Sequence, residues 1–308
     1  MNLQQLKYII AINRFRNFAK AADSCNISQP TLSTMLQKLE YELDVRIFDR
    51  SNKQVTPTSA GKKIILQAQK TLIEAEKITE LVAEEKNQIG NSLSLSVGSS
   101  IAPYILPQFI KHYRKKHPEV SLSIQERKSE DMLNALQNGE IDAGISASDL
   151  QNKGVLEIPL YTERFYVYLS EDCWRKLPVF KPENLEHENM WIMKEAQCLR
   201  NSAFSFCKAR SKGQHIYEAG SIETLIRIVD ENGGFTIIPE MHLNFLSEAQ
   251  RKNVRKIEGN YLSQRRISLY IRKDYVKERM LNTIIDSMKE FIPAQMLSEG
   301  IRKYDIRL

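Results

Sequence analysis

Residues 18–50 read FAKAADSCNISQPTLSTMLQKLEYELDVRIFDR. The alanine-rich segment 18–25 predicts a short helix, and Asn26–Ile27 a tight turn. Ser28-Gln29-Pro30 then supplies a serine cap and a first-turn proline, a good start for a second helix. Leu32, Leu36, Leu39 and Leu43 recur at spacings of four, three and four residues, which predicts one buried face. Thr31, Ser33, Thr34, Gln37 and Lys38 fall on the other face. Upstream, Leu3, Leu6, Ile9 and Ile10 share a helical stripe. Downstream, VRIFDRSNKQVTP (45–57) predicts two short strands around a Ser-Asn-Lys turn, a wing.

These are the parts of a winged helix-turn-helix over residues 1–58. A braced helix whose N-terminal end carries small polar side chains fits a DNA major groove, with its first residues at the base edges. Gln29 and Gln37 suit adenine, and Thr31, Ser33 and Thr34 suit base edges or phosphates. Arg50 and Lys53 on the wing suit phosphates or the minor groove. With Ser28 and Lys38 these make up the candidate DNA-contacting set. As a bare pattern, a three-helix structural domain fits as well.

Outward from this module, Thr58 to about Gln88 is a proline-free helical pattern, giving a linker or dimerisation helix over 59–89. Ile64, Ala68, Thr71, Ala75, Ile78 and Val82 form a heptad-like stripe with nothing near in sequence to cover it. Gly90-Asn91 is a plausible hinge. From Leu93 strands alternate with helices: strands at 93–98, 120–126, 141–146, 165–170, 190–193, 215–219, 235–239 and 267–272, and helices at 103–116, 130–138, 221–232 and 275–292. Such alternation predicts an α/β effector domain over 90–308 with a mostly parallel sheet. If the last strand and helix return to the first half, two lobes result, about 93–162 with 267–308, and about 163–266. The expected class is α+β multidomain, with a two-lobed, periplasmic-binding-protein-like C-terminal domain.

The chain has 308 residues, 42% apolar and 27% charged, with a formal net charge of +6. That composition excludes wholesale disorder. No apolar run spans a bilayer, and Lys7 and Arg14 make the N-terminus a poor signal peptide, so no membrane partner and a cytoplasmic location are expected. Residues 1–60 hold eight basic and five acidic side chains, half of the whole excess in a fifth of the chain. This permits a polyanionic partner. Four cysteines (25, 173, 198 and 207) are too few for a secreted disulfide scaffold.

Cys198 and Cys207 flank CLRNSAFSFC. Their spacing, even with His215, matches no zinc pattern, so no metal and no cofactor are expected. On a helix they would lie about 13 Å apart in rise and on opposite sides. A disulfide needs Cα atoms within about 7 Å, so bridging requires such a helix to unwind. Closing so short a loop biases the equilibrium by about 3 kcal/mol. Oxidation there would then act as a conformational switch. Lys194, Arg200 and Arg210 favour a thiolate, which peroxide converts to a sulfenic acid that a second thiol condenses with. Two inert core cysteines satisfy the same residues.

The stretch 18–50, followed by TPTSAG, closely resembles the N-terminal signature of LysR-type transcriptional regulators. SQPTLS and the spaced LE-x-x-L and IF-x-R elements carry the resemblance. Cys25 stands where the family usually has leucine and Asp44 where it usually has glycine. The resemblance implies double-stranded promoter DNA as partner, bound by a homodimer or homotetramer at partly palindromic sites, and contact with RNA polymerase. CLRNSAFSFC, with SIETLIRIVDENGGFTIIP, SSIAPYILP and the Arg265-Arg266 pair, resembles the redox region of the family's hydrogen-peroxide-sensing members. By position this implies a peroxidatic Cys198 and a resolving Cys207. Ser100 and Ser129 are implied to hold peroxide or water, and Arg266 to stabilise the thiolate. Gln197 stands where those members have histidine, which removes one source of charge. The alternative function is a regulator that binds a small molecule in the interlobe cleft through Ser99, Ser100 and Ser129. A thiol peroxidase lacks support, because no other acid–base constellation accompanies the thiols; the chain is not expected to be an enzyme.

Overall fold

The computed structural model describes residues 1–49, 55–85, 90–147, 150, 154–176, 190–193, 214–217, 222–257, 264–275 and 277–303. The described chain divides into two compact units, Met1–Gly90 with Gln137–Glu140, and Asn91–Leu136 with Ile141–Leu308.

The first unit contains α1 (Leu3–Phe15), α2 (Phe18–Ser24), α3 (Gln29–Glu42), a hairpin of β1 (Phe48–Asp49) and β2 (Thr56–Pro57), and α4 (Ser59–Glu85). Each short helix has a side-chain start. Asn2 and Gln5 close a capping box on α1, Asn17 caps α2, and Ser28 caps α3. The core joins Ile9 and Ile12 of α1, Ala21 and Ala22 of α2, and Leu32, Leu36 and Leu39 of α3. Ile47, Phe48 and the start of α4 (Ile65, Ala68) close it. Burying one leucine fully contributes about 2 kcal/mol, so the leucine stripe of α3 is a main source of this unit's stability. Leu43, expected on that stripe, is the C-cap of α3 and 38% exposed, because the helix has ended and the chain turns away.

That turn is made at Asp44, whose φ of 48° is left-handed. Glycine does this without strain; aspartate is among the few others that tolerate it. The TPTSAG element has a comparable reason. Thr58 Oγ1 donates to the Arg46 carbonyl at 2.7 Å and accepts from the Gly61 N–H at 2.8 Å, while the Thr58 N–H donates to the Ile47 carbonyl at 3.0 Å. This lashes α4 so close to the strand that a Cβ on Gly61 would overlap the Ile47 carbonyl oxygen.

The second unit is built on one nine-stranded sheet among the described residues, ordered β4-β3-β5-β11-β6-β9-β7-β8 with β10 added beside β6. The strands are β3 (Ser92–Gly98), β4 (Ser121–Arg127), β5 (Ala143–Ser146), β6 (Val155–Leu169), β7 (Met190–Met193), β8 (Gln214–Tyr217), β9 (Phe235–Pro239), β10 (Val254–Lys256) and β11 (Gln264–Arg272). The helices are α5 (Ala102–Lys116), α6 (Ser129–Gln137), α7 (Glu171–Lys176), α8 (Ile222–Asn232), α9 (Glu248–Arg251), α10 (Glu278–Lys289) and α11 (Glu299–Lys303), with a 3-10 turn at Glu240–Phe245.

The expected mostly parallel sheet is a mixed one. β3 pairs in parallel with β4 and β5, and β7 with β8 and β9. The strands between these two parallel sets, β6 and β11, run antiparallel to each other and to their neighbours. Only the second part of β6 was expected, as 165–170. Its first part, VLEIPLYTE, contains Pro159 and reads poorly as a strand, but a shift in register beside it in the pairing with β11 accommodates the ring. β6 pairs with β11 over 155–164 and with β9 over 165–169, so one strand joins the two parallel sets of the sheet. The terminal elements pack back on the first elements of this unit. β11 pairs with β5, and the Tyr113 hydroxyl of α5 lies 3.2 Å from Met280 Sδ and 3.3 Å from Thr283 Oγ1 of α10. No helix among the described residues is long and apolar enough to cross a membrane.

Candidate functional site

In the first unit the candidate DNA-contacting side chains lie on the outer face of α3. Ser28, Gln29, Thr31, Thr34, Gln37 and Lys38 are exposed and Ser33 is half-buried, while Leu32, Leu36 and Leu39 face inward. Ser28 Oγ accepts from the Thr31 N–H at 3.3 Å and lies 2.8 Å from Thr31 Oγ1. The Thr34 hydroxyl donates to the Pro30 carbonyl at 3.0 Å. The hydroxyls of Ser28, Thr31 and Thr34 are thus held by the helix itself, whereas Gln29, Gln37 and Lys38 keep their full reach. Arg50 and Lys53 lie outside the described residues. One residue that the sequence reading passed over is Glu40, within the LE-x-x-L element. Its Oε1 accepts from the backbone N–H of Ile47 at 2.7 Å and of Phe48 at 3.2 Å, tying α3 to the first wing strand. Cys25 is half-buried and free, packed against the helical core.

In the second unit, Ser100 follows β3 just before α5, and Ser129 opens α6 just after β4. β3 and β4 are parallel neighbours, with Gly98 opposite Arg127, so both serines lie beyond the carboxyl ends of adjacent strands. Open α/β sheets bind ligands at that edge. Arg266, the arginine expected to support a thiolate, is not brought to Ser100. It is 57% exposed and pairs with Glu157 at 3.0 Å. The arginine that reaches Ser100 is its neighbour. Arg265 is buried, with Nη2 3.3 Å from the Ser100 carbonyl oxygen and Nη1 3.5 Å from Ser100 Oγ. Strand alternation explains this: along β11 Gln264 is exposed, Arg265 buried, Arg266 exposed and Ile267 buried. Two adjacent arginines on a strand cannot both face inward.

Arg265 is held by an ion pair that the sequence gave no reason to single out. Glu163 of β6 lies directly opposite it in the ladder. Arg265 Nε donates to Glu163 Oε1 at 2.7 Å, and both side chains are enclosed, 4% and 0% exposed. Glu163 Oε2 accepts from the Met241 N–H at 3.2 Å. The Arg265 guanidinium carbon stands 5.5 Å from the Phe165 ring centre. Beside this group Tyr104 of α5 meets His242 of the 3-10 turn, with the hydroxyl 3.0 Å from Nδ1. Burial pushes the Tyr104 hydroxyl above its ordinary range and lowers the His242 imidazole, so both favour their neutral forms.

Cys198 and Cys207, with Gln197, Lys194, Arg200 and Arg210, fall within 194–213, outside the described residues. The stretch links β7 to β8, which pair in parallel from Met190↔Gln214 to Met193↔Tyr217. β7 is itself anchored: the Trp191 indole N–H donates to the Gly233 carbonyl at 3.0 Å, and Thr236 Oγ1 to the Trp191 carbonyl at 2.8 Å. Cys173 is buried. Among the described residues no three His, Cys, Asp or Glu side chains gather as a metal site.

Residues 3–62 match the description "Bacterial regulatory helix-turn-helix protein, lysR family", and residues 86–292 match "LysR substrate binding domain". The chain is 30% identical, over 83% of its length and 85% of the relative's, to a hydrogen peroxide-inducible genes activator of Haemophilus influenzae. It is also 30% identical to the DNA-binding transcriptional dual regulator OxyR of Escherichia coli, covering 78% of this chain and 80% of that one. Among solved structures, a full-length OxyR variant from Pseudomonas aeruginosa superposes with a TM-score of 0.80 at 29% identity, covering 97% of this chain and 98% of the other. OxyR from Porphyromonas gingivalis gives 0.61 at 28% identity, over 67% and 94%. A helix-turn-helix with a buried leucine face and an open polar one, followed by a two-lobed sheet, accords with these matches, and the chain belongs to the LysR family of transcriptional regulators.

Proposed function

We propose that the protein is a peroxide-sensing transcriptional regulator whose signal is a reversible Cys198–Cys207 disulfide. The observation that carries this reading is the buried Arg265 held against Ser100 at the carboxyl edge of β3. A fixed guanidinium there favours an anion and supplies N–H donors to oxygen. It supports Arg265, in place of Arg266, as the arginine of the thiol site, with Ser100 and Ser129 as its hydroxyls. The Cys198 thiolate attacks one peroxide oxygen, the O–O bond breaks, and the departing hydroxide takes a proton to become water. Cys207 then attacks the resulting sulfenic sulfur, water leaves, and the disulfide forms.

The parallel β7 and β8 bracket in sequence the stretch that carries both thiols, and a bond formed within that stretch is the proposed switch. The exposed face of α3 supports binding of double-stranded DNA; Arg50 and Lys53 are proposed as further contacts, and the cytoplasm as the location. Ile78 and Val82 of α4, 67% and 49% exposed, support a homodimer or homotetramer through that helix. RNA polymerase is the expected further partner at promoters.

Peptide mapping of the purified protein before and after a brief, low dose of peroxide tests the reading. A Cys198–Cys207 cross-link in the treated sample is expected, and none in Cys198→Ser, which should still bind DNA. If Cys198 reacts no faster than a free cysteine, the metabolite-binding alternative takes its place.

A further inference from the structure

We propose that Glu163 is a positioning residue for the thiol site, acting through Arg265; this rests on the peroxide-sensing reading above. The two side chains face each other across β6 and β11 and have almost no contact with solvent. A guanidinium is planar, so a carboxylate oxygen 2.7 Å from Nε fixes the plane and sends Nη1 and Nη2 outward. In this structure the outward direction is Ser100, reached by both nitrogens. The carboxylate is itself fixed, because its second oxygen takes the Met241 N–H. Glu163 therefore sets where the Arg265 charge points, without being directed at Ser100 itself. Without the Glu163 carboxylate the guanidinium loses its 2.7 Å anchor at Nε, and its direction toward Ser100 is no longer set from across the ladder.

The test compares wild type, Glu163→Gln, Arg265→Ala and the double variant in the full-length protein. The readouts are the rate of Cys198 oxidation by hydrogen peroxide across a range of pH and the binding of reduced protein to DNA. Glu163→Gln keeps an oxygen for Nε but loses the charge and the second acceptor. It should lose on the order of 10- to 100-fold in oxidation rate, and its rate–pH midpoint should move upward as the thiolate loses its cation. Reduced DNA binding should stay intact. Arg265→Ala should lose a similar factor, and the double variant little more, since both act through one group. A wild-type rate and pH midpoint in Glu163→Gln overturns the inference, as do losses that multiply in the double variant. If Glu163→Gln does not fold, Glu163→Asp takes its place. That variant keeps the charge on a shorter arm, and should hold the pH midpoint while the rate falls; an unchanged rate overturns the inference. An Arg265→Ala protein that oxidises as fast as wild type removes Arg265 from the thiol site, a separate failure that sinks the underlying reading.

Discussion

Gly61 shows how little space a single residue can leave. Its missing Cβ is what lets the start of α4 lie against the Ile47 carbonyl; an added methyl would also sit 2.9 Å from that carbonyl's carbon. The neighbour is backbone, which cannot swing aside. Gly61→Ala is therefore expected to destabilise the N-terminal unit by about 3 kcal/mol. Urea unfolding followed in that unit checks it, and an unchanged midpoint would mean that α4 can slide. At Asp44 the chain manages a left-handed turn without glycine, so the family departure there leaves the turn in place. At Arg265 and Arg266 the decisive matter is side: one residue along a strand reverses it, and only the inner arginine meets Glu163 and Ser100.

At the scale of the element, α4 changes character along its length. Its first turns belong to the core of its own unit through Ile65 and Ala68, 3% and 2% exposed. Farther along, the stripe emerges at Ile78 and Val82. An apolar stripe left in water at helical spacing is suited to a partner helix. Ile78→Asp is accordingly expected to shift the protein from dimer to monomer and to weaken binding to two-half-site DNA at least tenfold. Light scattering coupled to gel filtration reads the first, and a salt-controlled binding titration the second. A dimer that survives the charge places the interface elsewhere. The heptad spacing was readable in advance, but its first half goes to intramolecular packing. Periodicity reports that a face is covered and is silent on what covers it.

At the scale of the molecule, the effector domain encloses groups that prefer to be neutral. Among the described residues His242 is the one such group whose ordinary pKa, 6.5, lies near the working range, and burial lowers it in the folded state. The unfolded chain then takes up a proton at a higher pH than the folded one. Stability contributed by this group is complete above about pH 6.5 and is lost as pH falls toward the depressed folded value. Between about pH 7.5 and about pH 5.5 the urea midpoint of the effector domain is expected to fall, and His242→Gln to flatten that fall. An equal fall in the variant assigns the acid sensitivity to other groups.

The helix-turn-helix with its capped, leucine-faced α3, most strands and long helices of the effector domain, and the two thiols in one short segment were determined by sequence. They depend on local rules: capping chemistry, helical and strand period, and spacing along the chain. Tertiary structure alone decided that the sheet is mixed, that Glu163 faces Arg265 across two strands 102 residues apart, and that Arg265 turns inward. Those outcomes depend on strand direction and register. The free energy of burying a charged pair is settled by which residues meet across a ladder, and no short stretch of sequence records that meeting.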